Sequence, residues 1–167
     1  MLWVNHKLTA GAVVYLFTGN LAATLISVIA SVWPDWIEYP LGPVIKHRTI
    51  THWPYPPLLA LGILCYFWIT TGDFAFYYAL FLPIGWLLHL ATDFMSVGGI
   101  PFGKPNGIRV GISLYKTRTE REHFVALAMI LPCLFFIILT GKITPEYWKG
   151  EFIRIWVLIQ YALARLF

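Results

Sequence analysis

The sequence predicts an all-α integral membrane protein, a bundle of about six hydrophobic helices. Three observations carry this expectation. The 167 residues are 59% hydrophobic and 12% charged, with a mean hydropathy of +0.70; soluble domains hold roughly twice that charged fraction. The apolar residues form continuous runs without strand-like alternation, which excludes β-barrel patterning. Most remaining polar groups gather at the ends of those runs. The length allows one membrane-embedded domain over 1–167 and no separate soluble one. A net charge of +4 reports orientation in such a chain, and no nucleic-acid partner is expected. Cys65 and Cys133 lie inside apolar runs and read as packing residues, not a disulfide. Lys7 followed by an apolar run imitates a signal peptide, but that run leads into a polar motif and no cleavage is expected.

The apolar segments are, in order, Leu8 to Thr18, Leu21 to Trp33, Leu58 to Thr71, Phe74 to Phe94, Phe124 to Thr140 and Phe152 to Phe167. The first two are separated only by Gly19-Asn20, a turn-type dipeptide. As one helix, Leu8 to Trp33 would be about 39 Å long and would cross a ~30 Å hydrocarbon core. As a hairpin, each arm is ~16–20 Å, too short to cross alone, and the pair would be re-entrant against longer helices. Propensity permits the single span, because Gly and Asn are tolerated in membrane helices. Polar placement favours the hairpin, which brings His6, Asp35, His47, His52, His89, Asp93 and Glu122 to one face of the bundle. Thr70-Thr71-Gly72-Asp73 breaks the third segment from the fourth. Ser96 to Glu122 is the longest polar connection, and Gly141 to Pro145 separates the last two segments. The helix at 146–167 carries Arg154, Gln160 and Arg165 and reads as partner-binding or interfacial.

Imidazole and carboxylate groups are costly in or beside hydrocarbon, so a chain that keeps several there uses them. His89 and Asp93 stand at i and i+4, on one helix face. His47-Arg48-Thr49-Ile50-Thr51-His52 precedes the third segment, with Thr51 expected to cap a helix starting at His52-Trp53-Pro54. Asp35 follows Trp33-Pro34 at an expected helix C-terminus, where the dipole calls for a compensating cation. Each pair read alone fits a helix-packing hydrogen bond or an interfacial histidine as well as a ligand. Together they number six His/Asp groups, more than one tetrahedral ion requires, and a dinuclear site bridged by a carboxylate such as Asp35 follows. Glu38, Glu120 and His123 read as solvated or capping residues. Lys7, Lys46, Arg48, Lys104, Arg109, Lys116, Arg118, Arg121 and Arg165 fall on the His/Asp side, against Lys142, Lys149 and Arg154 on the other. The positive-inside rule makes the His/Asp face cytoplasmic.

At these residues the chain resembles the YdjM-like family of bacterial inner-membrane proteins, described as membrane-bound metal-dependent hydrolases. The resemblance rests on His6, Pro34-Asp35, His47-Arg48-x-x-Thr51-His52, Gly85-x-x-x-His89-x-x-x-Asp93, Gly99-Ile100-Pro101 and Glu122, and covers roughly residues 6–125. The family pattern has a second acid and a His after Pro-Asp; here Glu38 stands for the acid, displaced by one residue. Thr49 replaces a Gly and Trp53 a Ser.

Two functions follow. The first is a metal-dependent hydrolase of the bacterial inner membrane, with Zn²⁺ as the expected ion and a phosphoester of a lipid or lipid-linked molecule as substrate. His6, Asp35, His47, His52, His89 and Asp93 would be ligands, Asp35 the bridge, Glu122 a general acid/base or further ligand, and Arg48 the stabiliser of an anionic phosphate oxygen. The second is a non-enzymatic membrane subunit whose metal site holds helices together or organises a membrane-protein partner or a homo-oligomer. No His-Glu-x-x-His indicates a protease. The clustering of charge at one face disfavours a transport path.

Overall fold

A computed structural model describes residues 1–41 and 48–164 of the chain. His47, Lys46 and Arg165 lie outside the described residues. The helices are α1 (Trp3–Thr18), α2 (Leu21–Ala30), α3 (Trp33–Leu41), α4 (Tyr55–Thr71), α5 (Phe74–Ala79), α6 (Phe81–Phe94), α7 (Glu120–Leu139) and α8 (Pro145–Ala164). Two pairs run on from one another: Leu21–Pro40 and Phe74–Phe94, with Glu120–Leu139, are each long and apolar enough to cross a membrane. The protein is an all-α membrane bundle, as expected. The polar connection after α6 additionally forms a two-stranded antiparallel ribbon, β1 (Ile100–Pro101) against β2 (Arg109–Val110).

The hairpin alternative at Gly19-Asn20 is the one adopted. Gly19 takes the left-handed conformation (φ 59°) and its N–H returns to the Tyr15 carbonyl, closing α1. Asn20 then caps α2, its side chain accepting from Ala23 N at 3.0 Å. The Tyr147 hydroxyl donates to the Gly19 carbonyl at 2.7 Å, and a Cβ at Gly19 would collide with that ring. Buried Glu151 of α8 accepts from Leu21 N at 2.9 Å, so α8 is fastened to the hairpin tip while most of its surface is exposed.

The arms are longer than the apolar runs implied. α1 begins at Trp3, and α2 leads through Ser31-Val32 into α3, so the second arm is one of the candidate spans and not a short re-entrant piece. Asp35 therefore sits in the first turn of α3 and not at a helix C-terminus. A carboxylate there is favoured by the helix dipole, so the dipole itself does not call for a compensating cation.

Close helix approach depends on small residues, as membrane interfaces require. Ala23, Ser27 and Ala30 of α2 are buried, and Ser27 Oγ donates to the Phe81 carbonyl of α6 at 3.0 Å. Facing them is Gly85, where an added Cβ would stand 2.3 Å from the Ser27 carbonyl oxygen and 2.9 Å from Ala30 Cβ. Gly85→Ala is expected to force α2 from α6 and destabilise the protein by about 1–3 kcal/mol, the usual cost of overpacking. Thermal unfolding in detergent checks this; an unchanged midpoint would show that the interface can yield.

Candidate metal centre

α1 starts, α3 starts, a 3-10 turn over Ile50–His52 precedes α4, and α6 ends, all at the same end of the bundle. They bring together His6, Asp35, His52, His89 and Asp93, five of the six expected ligands. Two overlapping sets have ligand atoms within 4.8 Å of one another: His6, His89 and Asp93; and Asp35, His52 and His89. His6, His52, His89 and Asp93 are at most 1% exposed.

The distances suit a small divalent ion. His52 Nε2 lies 3.1 Å from His89 Nε2, 3.5 Å from Asp35 Oδ1 and 3.4 Å from Asp93 Oδ2. His89 Nε2 lies 3.8 Å from Asp35 Oδ1 and 3.6 Å from Asp93 Oδ2. Bonds of 2.0–2.1 Å to a tetrahedral ion would separate ligand atoms by about 3.3–3.4 Å. His6 Nε2 approaches the other Asp93 oxygen, Oδ1, at 3.7 Å, and the His6 ring stacks on His89 with centroids 3.8 Å apart.

Tautomers are set by the outer contacts. His89 Nδ1 faces the Ser31 carbonyl at 2.7 Å, an acceptor only, so this nitrogen carries the proton and Nε2 presents a lone pair. Thr92 Oγ1 gives its proton to the His89 carbonyl (2.8 Å) and accepts from His6 Nδ1 (2.7 Å). His6 Nε2 is consequently a bare acceptor, buried and without a hydrogen-bond partner. His52 Nδ1 meets Glu38 Oε1 at 3.2 Å. Nδ1 held from outside the cluster with Nε2 turned towards the other ligands is the arrangement that surrounding partners impose on metal-ligating histidines. Three imidazoles and two carboxylates, one imidazole nitrogen orphaned, fit a borderline divalent cation such as Zn²⁺.

His52 shows what charge the cluster wants. Burial alone would lower its pKa, but hydrogen bonds to Asp35, Asp93 and Glu38 outweigh this and raise it from 6.5 to about 10. The metal-free protein therefore holds a proton on His52 at neutral pH, between His89 and the two aspartates, where an ion's charge would sit. Because the folded pKa is raised, this proton stabilises the metal-free fold fully below about pH 6.5, and the contribution is lost as pH rises through about 10. Metal-free protein is expected to lose thermal stability across that window, and metal uptake near pH 7.5 to release protons. Unfolding midpoints against pH, and calorimetry in buffers of different ionisation enthalpy, measure the two effects.

Other expected residues lie around the cluster and not within it. Arg48 directs Nη2 to Asp93 Oδ1 and Nη1 to Ser96 Oγ, both at 3.1 Å, so its guanidinium is committed to holding Asp93. A Cβ at Gly98 would lie 2.2 Å from Nη1, so the bare glycine gives the guanidinium its passage. Glu122 is buried in the first turn of α7 and accepts from Leu2 N, Asn5 Nδ2 (2.8 Å) and Arg118 N (2.7 Å). It ties the start of α1 to the loop before α7.

Glu38 corrects the sequence reading. It is 4% exposed and accepts from the Arg48 backbone N–H (3.0 and 3.1 Å), Thr51 Oγ1 and His52. Thr51 accordingly serves Glu38 and does not cap α4, whose N-cap is Pro54. Its spacing from Asp35, i to i+3, was the available signal: the two carboxylates share a face once Asp35 is placed inside a helix. Ser31 and Thr92 were also missed, the first because it contributes a carbonyl, which no side-chain pattern marks.

Fold and site define a helical membrane protein with a buried imidazole–carboxylate cluster able to hold a metal ion. The chain belongs to the YdjM inner membrane protein family, whose model matches residues 1–166. No curated protein and no solved structure gives a significant match.

Proposed function

We propose that the protein is a metal-dependent hydrolase working at the cytoplasmic face of the inner membrane on a phosphoester of a lipid or lipid-linked molecule. The observation that carries this reading is the convergence of three Nδ1-anchored histidines on two carboxylates beside an open cavity of about 1050 Å³, with Asp35 in the cavity wall. A purely structural ion favours a closed shell of ligands, whereas a catalytic one keeps an approach for substrate. The abundance of Lys and Arg at this end supports the cytoplasmic orientation.

When bound, a divalent ion such as Zn²⁺ supplies Lewis-acid polarisation and a nucleophile at neutral pH. His52, His89 and Asp93 would hold it from the buried side. Asp35 is 16% exposed at its side chain and stands between cluster and cavity, placed to accept or return a proton on the substrate side. Were a second ion held, Asp35 or Asp93 would be the carboxylate shared between the two sets: Asp93 turns Oδ1 to His6 and Oδ2 to His52, and Asp35 Oδ1 lies beside both His52 and His89. His89 has one lone pair and serves one ion. Arg48 and Glu122 act as positioning residues, the first through Asp93 and the second through the start of α1.

The test is metal analysis of the purified protein with hydrolysis assays across phospholipids and lipid-linked phosphates. Zinc at one or two equivalents with turnover of a phosphoester is expected. Bound metal without turnover on any of them overturns the enzyme reading in favour of a membrane subunit with a structural ion; absence of metal from protein purified without chelator overturns both.

A further inference from the structure

Beside the cluster the cavity changes character from one end to the other. Near the ligands its wall includes Asp35, Glu38 and Arg48, and Arg109 and Arg118 complete its basic side. A smaller apolar pocket of about 350 Å³, bounded by Trp3, Trp36 and Tyr39, adjoins it and shares Trp3 and Tyr39 with it. Trp36 is 52% and Tyr39 85% exposed, and both lie on a helix long and apolar enough to cross a membrane. One continuous surface thus runs from guanidinium groups to an aromatic cleft on the exposed side of a candidate membrane span.

Building on the hydrolase reading, we propose that Arg109 and Arg118 form the headgroup subsite for a lipid bearing an anionic phosphate. Its acyl chain leaves the cavity across Trp3, Trp36 and Tyr39. Of the carboxylates in the wall, Asp35 accepts from Trp3 and faces His52, and Glu38 accepts from Arg48 N, Thr51 and His52. Arg48 is likewise spent on Asp93 and Ser96. Arg109 and Arg118 are both exposed and stand together in the lining of the cavity. Guanidinium forks match phosphate oxygens bidentately, and aromatic side chains at the interface suit the start of an acyl chain.

The backbone supports a built subsite. Arg118 adopts φ 64°, a left-handed conformation that a residue with a long side chain enters at a cost. Its N–H donates to buried Glu122 at 2.7 Å, which also accepts from the N–H of Leu2, another residue of the lining, and from Asn5. Three described non-glycine residues have positive φ, and two of them, Arg48 and Arg118, line this cavity. Arg109 is carried on β2, paired in register with Pro101.

The experiment uses the full chain in neutral detergent, stripped of metal by chelation so that binding is read without turnover. Native mass spectrometry compares phosphatidic acid, phosphatidylcholine and glycerol phosphate, the last as headgroup without chains. Phosphatidic acid is expected to bind at least about tenfold tighter than either, and Arg109→Gln/Arg118→Gln to remove its advantage over phosphatidylcholine. Arg109→Lys/Arg118→Lys should keep part of that advantage, and Trp36→Ala should weaken the lipid alone. Equal binding of the two lipids overturns the proposal, as does a preference that survives the glutamine variant. Glycerol phosphate binding as tightly as phosphatidic acid overturns the lipid assignment in favour of a free phosphate. Selective lipid binding without hydrolysis after metal reloading overturns the hydrolase reading and leaves this subsite standing; hydrolysis with no charge preference does the reverse.

Discussion

Asp93→Ala is expected to be the most damaging single substitution, lowering stability and metal content together. Asp93 is 1% exposed. Its Oδ1 accepts from Arg48 Nη2 at 3.1 Å and from the Met1 amino group at 2.9 Å, while Oδ2 lies 3.4 Å from His52 Nε2. Truncation leaves the Arg48 guanidinium buried with Ser96 Oγ as its remaining hydrogen-bond partner among the contacts described above. Breaking a buried ion pair from one side costs about 3–5 kcal/mol, because the surviving charge is uncompensated. Equilibrium unfolding in mixed micelles measures that loss. Asp93→Asn retains the shape and one acceptor oxygen and should recover part of the stability but little of the metal affinity. Equal effects of alanine and asparagine on stability would show that the charge is not what holds this region.

His89→Ala is expected to empty the centre while leaving the bundle folded. His89 is the member common to both ligand sets, so no combination of the remaining residues reproduces either one. Losing an outer-shell partner lowers metal affinity by about 10–100-fold, and losing the shared ligand should exceed that. Metal content after purification gives the readout, with circular dichroism reporting the helices. His6→Ala is the informative companion, since it enters one set only. A fall from two equivalents to one would identify His6 with a second ion, and an unchanged single equivalent would make the centre mononuclear. Wild-type metal content in His89→Ala would sink the assignment of the site.

Much of the architecture was readable because its causes are local. Continuous apolar runs dictate helices, and Gly19-Asn20 supplies the two conformations that a tight reversal needs, a left-handed residue and a side-chain cap. The ligand pair His89/Asp93 was readable for the same reason: four residues apart on a helix is a fixed geometry. His6 became legible only through the hairpin, which turns a distant histidine into a neighbour. Asp35 was found for the right face but on the wrong helix end. Trp33-Pro34 looked like a stop, whereas proline near the start of a helix is a beginning. With Asp35 misplaced, Glu38, one turn further along the same face, reads by its own context as solvated or capping, and only the family resemblance marks it as an acid of the site.

What the sequence determined by itself is the medium, the helices and the chemical inventory: a membrane bundle with imidazoles and carboxylates at helix ends. These follow from hydropathy and from periodicity within a few residues. Only the tertiary structure decided which nitrogen of each histidine is available, since Nδ1 of His89 is held by a carbonyl 58 residues away and Nδ1 of His6 by a hydroxyl 86 residues away. It also decided that Arg48 is hydrogen-bonded to Asp93, Glu122 to the start of α1, and that Glu38 faces Nδ1 of His52. A side chain's role there depends on the partner packed against it, and packing across Gly85 brings α2 close to α6 at the Ser31–His89 contact. Short-range pattern can name the ligands; the close approach of distant helices aims them.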